Sequence, residues 1–125
     1  MVMNKQKNVF GEPIKECSRE PMTGFYRDGS CNTDERDLGS HTVCVQMTRE
    51  FLEYSARKGN DLSTPMPEFG FEGVNPGERW CLCAQRWLEA YNDDMAPKVI
   101  LQATNEKVLD IIPLEYLKRK ALDVV

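Results

Sequence analysis

The chain has 125 residues, of which 41% are hydrophobic and 29% charged, a length and composition typical of one globular domain. Its formal net charge of −4 argues against a nucleic-acid partner, because binding to a phosphate backbone requires clustered Lys and Arg. No apolar run approaches the roughly 18 residues that cross a bilayer, so the sequence predicts no membrane association.

Residues 1–13 lack the apolar segment of a signal peptide, which predicts a cytoplasmic protein. The five cysteines are an odd number, and a reducing compartment disfavours disulfides. We therefore expect five thiols and no structural disulfide framework.

The first third of the chain is rich in turn residues. Residues 1–7 are expected to form a loose N-terminal segment, and residues 12–40 a long loop with bends at Pro and Gly. From His41 apolar and polar residues alternate as in a half-buried strand. Thr48 then predicts the N-cap of a helix that Gly59 ends.

Residues 60–79 contain three prolines and three glycines, which predicts a second long loop, pinned to the core by its aromatic residues. Trp80, Ala84, Trp87 and Tyr91 have the spacing of one helix face. Residues 99–103 are typical of a buried strand, 106–112 of either a short helix or a strand, and a closing helix follows Pro113. The sequence thus predicts one small α+β domain, 1–125, with a few-stranded sheet packed by about three helices and two long ordered loops.

The cysteine spacing is poor for a zinc site, whose ligands usually occur in pairs two to four residues apart. The one close pair is the C-x-C of Cys81 and Cys83. On a helix beginning near Trp80 these side chains would point about 200° apart. We therefore predict burial for this pair and no bound metal.

A nucleophilic thiol needs a base, and His41 is the only histidine. Cys44 follows it by three residues on the predicted strand, so the two side chains would leave from opposite faces. Cys31 lies in the flexible first loop, which can fold back, so the candidate catalytic pair is Cys31 and His41. The alternative is that His41 caps a turn or packs at the strand entrance.

The polar residues of both loops are candidate ligand contacts. Phe25 to His41 and Asn60 to Arg79 can lie at the same end of the strand and helix that join them, so we expect one shared concave surface. The alternative is two separate loops whose polar groups make local turn hydrogen bonds. The sequence has no phosphate-binding, dinucleotide or serine-hydrolase motif, so no cofactor is expected. The candidate ligand-binding residues are Arg27, Asp28, Asp61, Ser63, Thr64, Glu68 and Trp80.

The runs PMTGFYRDG, HTVC, GNDLSTP, PEFGF and GERWCLCAQRW together resemble one bacterial family, domain of unknown function 2237. The likeness extends from about Asn8 to the C-terminal helix and implies one compact domain without implying a reaction. Members often carry two adjacent cysteines where this chain has Ser30 and Cys31. The family pattern maps onto Cys17, Arg27, Asp28, Cys31, His41, Cys44, Asn60, Asp61, Ser63, Thr64, Glu68, Trp80, Cys81 and Cys83.

Three functional hypotheses follow. The first is a domain that binds a small molecule or a protein partner through the loops 25–41 and 60–79. The second is a thiol-dependent enzyme or redox protein that uses Cys31 with His41. The third is a zinc-binding structural module.

Overall fold

The structure, a computed structural model, describes residues 6–123, so the first five residues of the predicted loose N-terminal segment lie outside it. Three antiparallel strands form the sheet in the order β2-β1-β3: β1 is His41–Gln46, β2 is Arg79–Cys83 and β3 is Lys98–Val99. Together with three α-helices this confirms the predicted α+β class.

The central strand β1 is buried on both faces. Val43 and Val45 pack into the main core, to which the helices contribute Phe51 and Trp87. Cys44 belongs to a second buried cluster on the other face. A strand covered on both sides has no solvent-facing row of polar residues, and residues 42–45 of β1 are all buried.

The helices are α1, Arg49–Arg57; α2, Ala84–Asn92; and α3, Leu114–Arg119. The predicted boundaries of α1 are confirmed, since the Thr48 side chain accepts a hydrogen bond from the Phe51 amide (3.1 Å) and Gly59 follows with φ +92°. The ambiguous segment after residue 105 is a 3₁₀ helix, Glu106–Asp110. Among the described residues, no helix is both long enough and apolar enough to cross a membrane.

Two predicted element boundaries are wrong. Trp80 lies in β2, and the helix that follows begins only at Ala84. The helical spacing gave a wrong start for this helix because Trp80 is buried as part of the sheet, where it pairs with Val45 of β1. The predicted strand 99–103 ends at Val99 and continues as a 3₁₀ helix, Leu101–Ala103.

The expectation of five thiols is also wrong. Cys17 is bonded to Cys44 and Cys31 to Cys81, with Cα separations of 5.8 and 5.4 Å, and Cys83 is the free cysteine. A reducing compartment disfavours disulfides in general, but whether two cysteines pair depends on how close the fold brings them. β1 and β2 place Cys44 and Cys81 opposite each other, and the first loop brings one cysteine to each.

Candidate functional site

A cavity of about 440 Å³ opens between the two long loops, with β2 and the first turn of α2 as its floor. The first loop and the start of β1 contribute Gly24, Phe25, Arg27 and His41, and the second loop contributes Asn60, Leu62 and Phe71. The lining is completed by Trp80, Cys81, Leu82, Cys83 and Arg86.

Arg27 lies at the rim in a left-handed conformation, with φ +56°. Its guanidinium lies over the Trp80 ring, 5.3 Å from the ring centroid. The turn that holds it is tight, because a side chain on Gly24 would approach the Ser30 carbonyl oxygen to 2.4 Å. Asp28 secures the same turn by accepting hydrogen bonds from the Ser30 amide and from the Asn32 side chain, both 3.1 Å. Arg27 is therefore positioned by its own loop.

His41 is held by Asp37. The Asp37 carboxylate is buried, accepts the His41 backbone N–H (2.8 Å) and lies 2.7 Å from His41 Nδ1. The Thr33 hydroxyl donates a third hydrogen bond to this carboxylate (2.9 Å). When the neutral ring carries its proton on Nδ1, Nδ1–H donates a hydrogen bond to Asp37 and Nε2 is left unprotonated as an acceptor. The His41 side chain is 43% exposed and lines the cavity.

The free thiol on this cavity is Cys83. It ends β2, directly precedes α2 and is the cross-strand partner of His41. The ladder is irregular between His41 and Val43, so this pair lies beside a β-bulge, and both residues line the cavity. Cys31, the cysteine that the sequence paired with His41, is fully buried in its disulfide with Cys81 and has no free thiol.

The polar residues after Asn60 form a local turn outside the cavity lining. Asp61 accepts hydrogen bonds from the backbone and hydroxyl groups of Ser63 and Thr64, the shortest of them 2.6 Å from the Thr64 hydroxyl. The Thr64 and Ser63 hydrogen bonds hold the pKa of Asp61 below its usual range. Glu68 lies exposed in the 3₁₀ helix Pro67–Phe69. The second loop thus contributes Asn60, Leu62 and Phe71 to the cavity.

The charged groups of the lining are cationic. Arg27 and Arg86 line it beside His41, and among residues 6–123 no carboxylate does. Arg86 donates to the Lys58 carbonyl oxygen (3.2 Å) and lies 3.5 Å from Glu89, so its charge is partly offset. In the described part of the chain, Arg27 has no carboxylate within 4.0 Å.

An aromatic wall stands next to these cations. Phe71 packs edge-to-face on Trp80 with ring centroids 5.7 Å apart, and Phe25 and Leu62 extend the apolar surface.

Sequence reasoning did not select Arg86 or Cys83 as site residues, although both line the cavity. Their signal was the change from strand to helix at residue 84, which brings both to the end of β2.

The described residues include one group of sulfur atoms with the proximity of metal ligands. The Sγ atoms of Cys17, Cys31 and Cys81 lie within 4.8 Å of one another. All three belong to disulfides, and a sulfur bonded to sulfur is not the thiolate that zinc requires. The expectation of no bound metal stays a prediction.

The fold and the cavity define a small α+β domain with a concave, cationic and partly aromatic site. The chain belongs to the family described as "Uncharacterized protein conserved in bacteria (DUF2237)", which matches residues 7–121. This confirms the resemblance seen in the sequence motifs. No curated protein matches the chain.

Proposed function

We propose that this domain binds a small anionic molecule with an apolar or aromatic part in the cavity between the loops 25–41 and 60–79. The observation that carries the proposal is the pairing of cationic groups with an aromatic wall in one concave site. Small-molecule sites are usually mostly apolar clefts with a few convergent polar groups.

Arg27 is the strongest single contribution. Its guanidinium has an aromatic partner in Trp80 and a long hydrogen bond to the Met22 carbonyl oxygen (3.5 Å), but no carboxylate partner in the described chain, so its charge is available to an incoming anion. A guanidinium binds a carboxylate or phosphate through two parallel hydrogen bonds. Trp80 supports the guanidinium from one side and gives the ligand an apolar neighbour.

Matched pairs of ligands test the proposal. Benzoate and phenyl phosphate carry the predicted features, whereas benzamide and benzyl alcohol have the same ring without the charge. We expect the two anions to raise the melting temperature and to change the Trp80 indole signal in NMR spectra. The neutral compounds should do neither at the same concentration.

The substitution Arg27→Gln should weaken anion binding about tenfold or more, because a hydrogen bond to a charged group is worth about 1.5–3 kcal/mol. Arg49→Gln is the matched control, since Arg49 is an exposed arginine of α1 outside the cavity. Equal responses to benzoate and benzamide, or equal losses for both variants, would contradict the proposal.

A further inference from the structure

We infer that Cys83 is a nucleophile in this cavity, with His41 as its general base and Asp37 as the residue that positions His41, acting on small anions that carry an electrophilic carbon. The expectation that the substrate is an anion rests on the proposed function. It goes beyond that function by assigning a reaction to the site.

Three independent placements carry the inference. Cys83 and His41 are cross-strand partners, and both line the cavity. Asp37 holds His41 through two contacts, 2.7 Å to the imidazole Nδ1 and 2.8 Å to the backbone N–H. A nucleophile, a base and a third group that orients the base form the usual arrangement of nucleophilic catalysis.

The third placement is the start of α2. Cys83 is its N-cap residue, and its side chain makes no capping hydrogen bond there. The first N–H groups of a helix lack intrahelical partners and favour a nearby negative charge, which a thiolate would supply. The ionisable side chains that line the cavity with Cys83 are His41, Arg27 and Arg86, and no carboxylate of residues 6–123 lines it. Asp37 and Glu89 lie behind this lining, in contact with His41 and Arg86 respectively.

The proton and the electrons can be followed through the step. His41 Nε2 accepts the proton of the Cys83 thiol, and the sulfur electron pair forms a bond to the electrophilic carbon of the substrate. The bond from that carbon to the leaving group breaks, and the leaving group departs with the bonding pair. Where it needs a proton, it takes the one held by His41. No oxidant or reductant is required.

Two alkylating probes that differ in charge separate this inference from the proposed function. Native protein is treated at pH 7 with iodoacetamide, which is neutral, or with iodoacetate, which is anionic. The other four cysteines are held in disulfides, so we expect one label, on Cys83, and none on the Cys83→Ser control. Arg27→Gln should lower the ratio of the iodoacetate rate to the iodoacetamide rate about threefold or more, because both probes report the reactivity of the thiol but only the anion is attracted electrostatically.

His41→Gln should slow iodoacetamide about tenfold or more, the effect of removing a general base. If His41→Gln folds and is labelled as fast as wild type, the nucleophile inference is wrong. The anion site can still stand in that case, provided that iodoacetate continues to react faster than iodoacetamide. If iodoacetate has no advantage that depends on Arg27, the anionic substrate class fails. A readout without substitution compares native Cys83 with the same thiol in urea: equal rates at pH 7 overturn the inference.

Asp37→Asn tests the positioning role. The amide can still accept one hydrogen bond from His41, but it no longer stabilises the positive charge on the ring. The dependence of iodoacetamide labelling on pH should therefore move to higher pH. A purely structural role would change the melting temperature and leave that pH profile in place.

Discussion

Removal of the Cys31–Cys81 disulfide is expected to lower the free energy of unfolding by about 4 kcal/mol. The bond joins residues 50 positions apart in sequence. In the chain-entropy account, a closed loop of that length removes about 14 cal/mol/K from the unfolded state, which gives about 4 kcal/mol at 25 °C. The Cys17–Cys44 bond closes a loop of 27 positions, and the same relation gives about 3.5 kcal/mol.

Urea unfolding followed by circular dichroism measures both values. The double variants Cys31→Ala/Cys81→Ala and Cys17→Ala/Cys44→Ala are compared with wild type. Each protein is measured twice, once oxidised and once after full reduction in denaturant and refolding in the presence of reductant. Oxidised wild type should be the most stable form. Under reduction the difference between wild type and either variant should shrink to the small cost of the lost sulfur atoms.

Thiol counting gives an independent check. Native protein should present one thiol to Ellman's reagent, and reduced, unfolded protein all five. Wild-type stability that does not respond to reduction, together with five reactive thiols in the unreduced chain, would refute the disulfide reasoning.

Three further outcomes are expected. Gly73→Ala should destabilise the fold by about 2 kcal/mol or more, because φ is +82° and the added Cβ would lie 2.6 Å from the Ser63 carbonyl oxygen. The control Gly77→Ala has a similar φ of +88° but open space around the added Cβ, so it should cost about 1 kcal/mol in the same urea assay. Burial and a hydrogen bond to Asp93 raise the pKa of Tyr54 to about 12. The neutral phenol is therefore favoured in the folded state, and its stabilising contribution is complete below pH 10 and lost between pH 10 and 12; Tyr54→Phe should show a smaller loss of stability over that range. Elemental analysis of the oxidised protein should find no stoichiometric zinc, and about one zinc per chain would contradict this expectation.

Local signals predicted α1 well because its ends are encoded by single residues. Thr48 caps the first turn and Gly59 takes the left-handed conformation after the last one. The start of α2 carries no such signal: Cys83 provides no side-chain cap, and the apolar spacing runs back to Trp80 without interruption. Pairing with β1 decides that boundary, and pairing is a tertiary property that residue spacing does not report.

The candidate site likewise contains residues whose placement residue spacing predicts and residues whose placement depends on tertiary structure. Arg27, His41 and Trp80 line the cavity, whereas Asp61 and its neighbours satisfy one another within a turn. Arg27 lies in the first loop and Asp61 in the second, as predicted, but which side chains turn toward the cavity depends on local hydrogen bonding. Residue spacing did not reveal that Cys31 is buried in a disulfide with Cys81, 50 positions away, and therefore has no free thiol to offer His41.

The central position of β1 has a consequence for biosynthesis. Both of its neighbouring strands follow it in the chain, so β1 leaves the ribosome with two unpaired edges and stays unpaired until residue 83 has emerged. At about 5–20 residues per second this interval lasts several seconds. Cys17, Cys31 and Cys44 all emerge before Cys81, the partner that Cys31 requires. Oxidation during translation can form the native Cys17–Cys44 bond, but Cys31 competes for either cysteine until Cys81 has emerged. The native pairing of all four cysteines therefore depends on disulfide formation, or exchange, after that point.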